Sequence, residues 1–165
     1  MLWALSFVVV WAMAAGNKNF DVKGRVSQVE FAKDAVGLST AAFGALCADG
    51  VLLATKRCVT RPTTSRWLKE EPRCVHRMDA ELGAAVVGIP ADCALAVAFL
   101  REAAGQHRSL FGEAMACQEL ADALAAYLHD LTLAGDTRPL AVEVLLASSS
   151  ALFRVDAGGS MQVRL

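Results

Sequence analysis

The sequence predicts an α+β fold in which antiparallel strands pack on strands and the helices lie outside them. Two apolar runs, 40–47 and 51–55, are joined by Asp49-Gly50, a dipeptide that favours a type I′ hairpin turn. A buried strand over 82–88 follows, and two amphipathic helices separate it from the next strands. Because two consecutive helices between antiparallel strands cannot cover both faces of a sheet, strands are expected to cover the other face.

A short capped helix is predicted over residues 27–36, before the hairpin. Ser27 is expected to cap the first backbone N–H groups, while Glu30 reaches back to the Ser27 N–H in a capping box. Val26 and Phe31 are expected to flank the box as a hydrophobic staple. The predicted buried face of this helix consists of Val29, Ala32 and Val36.

The positions of the remaining elements are predicted from the spacing of apolar residues and from the segments in which proline or charge interrupts that spacing. Proline and charge break the segment 56–72, which is predicted to be a loop. Helices are predicted over 91–105 and 117–134, and strands over 141–147 and 151–155. No internal repeat divides the chain, so a single domain is expected.

Composition restricts the class of protein. The 165 residues are 55% hydrophobic and 20% charged with a net charge of -1, which gives no basic surface for nucleic acid. The five cysteines are odd in number and form no Cys-x-x-Cys pair, so reduced thiols and a cytoplasmic or nuclear location are expected. His76, His107 and His129 lack the spacing of metal ligands, and no metal or other cofactor is predicted.

The apolar run 1–15 allows three interpretations. It resembles a signal peptide but lacks a basic region before the apolar residues, and it is shorter than the about 20 residues that span a bilayer, so no membrane partner is predicted. A buried or partner-covered helix and an artefact of start-site assignment are the other two. Residues 1–19 are therefore treated as an N-terminal extension, and residues 20–165 as the domain.

Several motifs resemble those of proteasome alpha-type subunits. The residues that match the family's N-terminal signature are Gly24, Arg25, Gln28, Val29, Glu30, Phe31 and Ala32, with phenylalanine at the usual tyrosine. Gly88-Ile89-Pro90-Ala91-Asp92 resembles the family's entry to its first long helix. The later positions that resemble family motifs are Thr132, Gly135, Arg138, Pro139, Val142 and the run Asp156-Ala157-Gly158.

This resemblance implies a four-layer αββα sandwich, the fold of the N-terminal-nucleophile hydrolases. It covers residues 20–160. Family members continue beyond the position of Ser160 with further strands and helices. The C-terminal part of the domain is therefore expected to be missing.

The resemblance also predicts that the chain is not an enzyme. Catalytic relatives of this fold use a free N-terminal threonine aided by an aspartate and a lysine. Thr40 aligns with that threonine, but Lys56 stands at the aspartate position, and the lysine position falls on Pro72 or on Cys74. Two alternatives remain open: a threonine hydrolase activated by cleavage before Thr40, and a truncated product without function.

The function implied is that of a structural subunit of the 20S proteasome alpha ring in ubiquitin-dependent protein degradation. The implied partners are other alpha subunits in a seven-membered ring, beta subunits, and regulatory particles, and the implied roles are ring assembly, substrate gating and regulator docking. The candidate docking residues are Lys33, Arg73, Gly88 and Ile89.

Overall fold

A computed structural model describes residues 21–56, 73–134 and 137–164, so the apolar run 1–15 and most of the loop 56–72 lie outside the described residues. The described part is α+β, as predicted. Its helices are α1 (Ser27–Gly37), α2 (Pro90–Phe111) and α3 (Cys117–Leu133). Its strands are β1 (Ala42–Cys47), β2 (Gly50–Thr55), β3 (Val75–Arg77), β4 (Gly83–Gly88), β5 (Val142–Ala147), β6 (Leu152–Val155) and β7 (Met161–Arg164).

The strands form two antiparallel sheets. β1 and β2 make the predicted hairpin, and the second sheet has the order β3-β4-β5-β6-β7. The predicted type I′ turn is wrong, because Ala48 and Asp49 form the two-residue loop and neither has a positive φ. Gly50 instead pairs with Cys47 as the first residue of β2, with φ +146°.

The five-stranded sheet is covered on both faces. On one face α2 and α3 bury the main core, in which Val86, Leu100, Leu124 and Leu146 are at most 1% exposed. These apolar contacts are the main source of stability for the two helices. The predicted order of layers is confirmed: the helices lie outside the five-stranded sheet, and the β1–β2 hairpin lies on the other side of that sheet.

The hairpin packs on the opposite face of this sheet. A Cβ atom at Gly44 would lie 2.7 Å from the Leu152 side chain, so the two sheets meet closely there. Helix α1 lies at the edge of the same face, where Ala32 and Val36 pack on Val87 and Ala141. The described residues thus form three layers of an N-terminal-nucleophile hydrolase sandwich.

Helix α1 lacks the predicted capping box. Its N-cap is Val26, no side chain caps it, and Ser27 is already the first helical residue. The Glu30 carboxylate instead accepts a hydrogen bond from Arg25 Nη1 at 3.1 Å. The staple is also wrong, since Phe31 is 68% exposed. The nearby guanidinium competes for the carboxylate that the capping box requires.

Helix α2 extends six residues beyond its predicted end at residue 105. Gly105 is tolerated because nothing lies within 4 Å of the position of its missing side chain, whereas Gly112, with φ +76°, forms the left-handed cap. Strands β3 and β7 were not predicted, because three and four residues are too few to display alternation. None of the described helices combines the length and the apolar character needed to cross a bilayer.

Candidate functional site

A cavity of about 760 Å³ opens between the residues before β1, the end of β2, strands β3 and β4, and the first turns of α2. We call it the basic cavity. The polar and reactive side chains that line it are Ser39, Thr40, Lys56, Arg73, Cys74, His76, Cys93 and Arg101. The described residues thus bring these side chains together around one cavity.

Strand pairing and helical periodicity position two walls of the basic cavity. His76 pairs with Ala84 across β3 and β4, and the Cys74 carbonyl accepts a hydrogen bond from Val86 N at 2.7 Å. Cys74 and His76, two residues apart, therefore lie on the same face of the edge strand. Along α2, Cys93 and Arg101 are separated by eight residues and lie on the same side of the helix.

The electrostatic field in the basic cavity is positive. Lys56, Arg73 and Arg101 line it, and its described lining residues include no carboxylate. Burial, followed by the positive charge of Arg101, lowers the pKa of His76, so the imidazole is neutral at pH 7. Burial also raises the pKa of the Cys93 thiol to about 11, and nearby Cys74 adds to the rise. The cavity is therefore suited to anions.

Thr40 lies at this cavity, but its surroundings differ from those of a threonine nucleophile. The Lys56 N–H donates to the Ala41 carbonyl at 2.9 Å, which fixes the end of β2 beside Thr40. A lysine thus occupies the position where the resemblance requires an aspartate. Cys74 stands at one of the two possible lysine positions, and Pro72 lies outside the described residues.

The four predicted docking residues are not all together. Arg73 and Gly88 line the basic cavity, and Ile89 follows Gly88 with its side chain 39% exposed. Lys33 instead lines a second cavity of about 730 Å³, between α1, β1 and the five-stranded sheet. There its ammonium group lies 3.0 Å from the Asp156 carboxylate.

The signature residues pack α1 and the turn that precedes it. Gly24 has φ +74° in a turn where Asp21 Oδ1 accepts hydrogen bonds from the N–H groups of Lys23 and Arg25. Ala32 is buried against the sheet. The side chains at positions 28, 29 and 30 are half-buried, whereas Arg25 and Phe31 are exposed. Part of the signature thus packs α1 on the domain, and part of it faces outward.

Asp156 connects α1 to the β6–β7 turn. Its Oδ1 accepts hydrogen bonds from the N–H groups of Gly158 at 2.9 Å and Ser160 at 3.0 Å, and Oδ2 pairs with Lys33. Burial alone would raise the pKa of Asp156, but the hydrogen bonds from Lys33 and the two N–H groups outweigh burial and lower it.

We expect Asp156→Asn to lower the free energy of unfolding by about 1 kcal/mol, because the Lys33 pair is lost and the backbone bonds lose their charge assistance. The folded-state pKa lies below the unfolded value, so the carboxylate stabilises the protein above about pH 4 and this contribution disappears as pH falls through the folded pKa. Urea unfolding at pH 7 and pH 3 measures both effects. Asp122→Asn, on the exposed face of α3, is the control; equal losses in the two variants would contradict this role of Asp156.

An ion pair between buried Asp92 and Arg138, whose side chain is 60% exposed, lies next to the basic cavity and was not predicted as a contact. Asp92, 1% exposed at the start of α2, accepts hydrogen bonds from Arg138 Nη1 at 2.8 Å and Nη2 at 2.7 Å, and from Ala141 N at 2.8 Å. Arg138, then the Ala141 N–H, hold the pKa of Asp92 low against the effect of burial. Both residues were recognised as motif positions, but no sequence spacing indicates a pair so far apart along the chain.

Within the described ranges, no cluster of three histidine, cysteine or carboxylate side chains could hold a metal ion. Cys93 in the basic cavity, and Cys47 and Cys117 elsewhere in the described residues, form no disulfide. Burial raises the pKa of Cys117 to about 11, as it does for Cys93. The basic cavity is therefore a site of cations and thiols.

Comparison with known proteins identifies the family. Residues 36–163 match the family model described as Proteasome subunit. Proteasome subunit alpha type-3 of Spinacia oleracea is 35% identical over 127 residues, which cover 77% of this chain and 50% of the relative. Proteasome subunit alpha 2 of Haloferax volcanii is 32% identical over 152 residues, covering 89% and 59%.

The archaeal and plant relatives agree on the type of subunit. Proteasome subunit alpha of Methanocaldococcus jannaschii is 31% identical over 146 residues, covering 86% of this chain and 55% of the relative. The chain thus spans about half the length of the curated relatives it matches. Together with the layered fold, these similarities show that the chain belongs to the proteasome subunit family and is similar to its alpha subunits.

Proposed function

We propose that this chain acts as a non-catalytic structural subunit of a proteasome alpha ring. Its partners in this proposal are other alpha subunits in a seven-membered ring, beta subunits, and regulatory particles, in the cytoplasm and nucleus. The relatives that bear the name of alpha subunits support this assignment. Contributions to ring assembly, substrate gating and ubiquitin-dependent degradation follow from membership of such a ring.

The observation that carries the non-catalytic role is the cationic surroundings of Thr40. A threonine nucleophile needs a base to remove its proton and a carboxylate to orient the neighbouring groups. In the basic cavity Thr40 lies with Lys56 and Arg73, whose positive charges supply neither function. We therefore propose that Thr40 serves as an ordinary residue leading into β1.

Regulator docking is the second part of the proposal. The C-terminal carboxylate of a regulatory particle would bind in the basic cavity, where Arg73 supplies a guanidinium for a charge-assisted hydrogen bond. Gly88 and exposed Ile89 would contact the incoming peptide. Lys33 would contribute indirectly, because its pair with Asp156 fixes α1 against the domain.

Co-expression with alpha and beta proteasome subunits tests the assembly. The chain is expected to co-migrate with both subunit types on native gels, and mass spectrometry of the band identifies its members. A chain that runs only as a monomer, away from every proteasome band, would refute the proposal. N-terminal sequencing of the assembled chain addresses catalysis: a start upstream of Ser39 is expected, whereas a start at Thr40 would favour the threonine hydrolase.

Docking is tested in the assembled complex with Arg73→Glu. The reversal of charge is expected to weaken the binding of a regulatory particle at least tenfold without loss of the subunit from the ring, because Arg73 is exposed. Lys23→Glu, an exposed reversal in the turn before α1, is the matched control and is expected to leave binding unchanged. Equal affinities for Arg73→Glu and for the unmodified complex would contradict docking at this cavity.

A further inference from the structure

Two thiols line the basic cavity, Cys74 just before β3 and Cys93 in the first turn of α2. Cys74 lies opposite Val86 across β3 and β4, so the two side chains share the face of the sheet that α2 covers. Val86 belongs to the main core, and Cys93 in the first turn of α2 packs against that core. The effect of Cys74 on the pKa of Cys93 is consistent with this proximity.

Three cations line the cavity that holds these thiols, while the buried Asp92 carboxylate, which is paired with Arg138, acts on Cys93 from the start of α2. Lys56 approaches from the end of β2, Arg73 precedes Cys74, and Arg101 lies two turns beyond Cys93 on α2. Burial and then the charge of Arg101 lower the pKa of His76; a hydrogen bond to the Arg73 backbone opposes this, and the charge of Arg73 adds to it. An anionic molecule is therefore attracted to the cavity, and a cationic one is repelled.

The two thiols differ in their surroundings, although both are half-buried. Cys93 packs on the main core, and burial raises the pKa of its thiol to about 11. Cys74 lies outside that core cluster and follows exposed Arg73. Because the raised pKa disfavours the thiolate, Cys93 is the poorer nucleophile.

We propose that the basic cavity is a covalent modification site in which Cys74 forms mixed disulfides with anionic low-molecular-weight disulfides. The cavity volume of about 760 Å³ lies within the range of pockets that hold small molecules. The cavity therefore has room for the half of the disulfide that stays bound to Cys74. The site lies entirely within this chain and does not depend on ring assembly.

The reaction is a thiol–disulfide exchange. The Cys74 thiolate attacks one sulfur of the disulfide R–S–S–R, a new bond forms between Cys74 Sγ and that sulfur, and the bond within R–S–S–R breaks. The second half leaves as R–S⁻, which the cations around the cavity stabilise until it diffuses away, and the Cys74 proton passes to water. The incoming disulfide is the oxidant and is reduced to one thiolate, so no other reactant is needed.

Two versions of the full chain isolate the reacting thiol. Cys58, which lies outside the described residues, is replaced by serine in both. One version also carries Cys47→Ser and retains Cys74, and the other carries Cys74→Ser and retains Cys47. Cys47 is the matched control, because it is exposed at the end of β1 and lies away from the basic cavity. Circular dichroism confirms that both versions are folded.

Each version is treated with the dianionic disulfide dithiobisnitrobenzoate and with uncharged dithiodipyridine, and the released thiolate or thione is followed by absorbance. For each thiol, the rate of reaction with dithiobisnitrobenzoate is divided by the rate with dithiodipyridine. At low salt this rate ratio is expected to be at least about tenfold larger for Cys74 than for Cys47. At about 1 M salt the two ratios should converge, because screening removes the attraction. Peptide mapping assigns each adduct.

Arg101→Gln in the Cys74 version is expected to lower its rate ratio at least about threefold, and Lys56→Gln serves as a second variant if the first fails to fold. The proposal is overturned if Cys74 reacts with neither probe, or if its rate ratio equals that of Cys47. It is also overturned if the rate ratio of Cys74 exceeds that of Cys47 but changes neither with salt nor with the loss of Arg101.

Discussion

Arg138→Ala is expected to lower the free energy of unfolding by about 3 kcal/mol. The variant removes two hydrogen bonds from Asp92, whose carboxylate is 1% exposed, and leaves only the Ala141 N–H as a described partner. A buried charge that loses its partner retains its desolvation penalty, which makes such changes among the most destabilising. Urea unfolding followed by circular dichroism measures the loss.

Arg25→Ala is the matched control for this variant. Arg25 also pairs with a carboxylate, that of Glu30 at 3.1 Å, but both side chains are substantially exposed. A surface pair contributes about 0–1 kcal/mol, so the control should lose much less stability. Similar losses in the two variants would contradict the importance of the buried pair.

The pH dependence of stability supplies a second measurement at Asp92. Its folded-state pKa lies below the unfolded value, so the carboxylate stabilises the protein above its unfolded pKa and this stability is lost as pH falls through the folded pKa. Without Arg138 the folded-state pKa should rise. The acid-induced loss should then begin at higher pH in Arg138→Ala than in the unmodified chain, and coincident acid transitions would argue against the pairing.

Gly88→Ala is expected to destabilise the fold by at least about 3 kcal/mol. Gly88 has φ +142°, and a Cβ atom there would lie 2.1 Å from the Ala141 carbonyl oxygen and 2.9 Å from Val142 Cα. The clash involves backbone atoms at the start of β5 and in the residue before it, which cannot rotate away as a side chain can. Backbone strain and overpacking each cost about 1–3 kcal/mol.

Gly105→Ala is the control for this variant. Gly105 lies within α2 without a positive φ, and nothing lies within 4 Å of the position of its missing side chain. Alanine there should stabilise the helix by about 0.5–1 kcal/mol. Opposite signs for the two substitutions are therefore expected in urea unfolding, and a well-folded Gly88→Ala variant with unchanged stability would refute the close approach of β4 and β5.

The sequence predicted the elements whose apolar periods are long enough to be unambiguous. The hairpin, β4, α3 and β5 lie within two residues of their predicted bounds, because each contains a run of apolar residues long enough to recognise. The capping box failed because Arg25 competes for Glu30, which no residue spacing reveals. Strands β3 and β7 are only three and four residues long, which is too short for an alternation of apolar and polar residues to be recognised.

The candidate site could be predicted only in part. Arg73 and Gly88 do line one cavity, but Lys33 lies at another one, because α1 packs on the face of the sheet that the hairpin covers. The positive field of the basic cavity combines Lys56 and Arg101 from elements far apart in the chain. Such a juxtaposition follows from tertiary packing, which neither composition nor local spacing determines.

The order of strands in the large sheet has a kinetic consequence. Each strand in β3-β4-β5-β6-β7 pairs with its neighbour in the chain, so most of the sheet can form through local hairpins of low contact order. The exception is the pairing of β4 with β5, between which α2 and α3 are inserted. Closing that loop costs chain entropy before its contacts form. We therefore expect the folding nucleus to include the two helices and the strands they connect, where substitutions should slow refolding rather than speed unfolding.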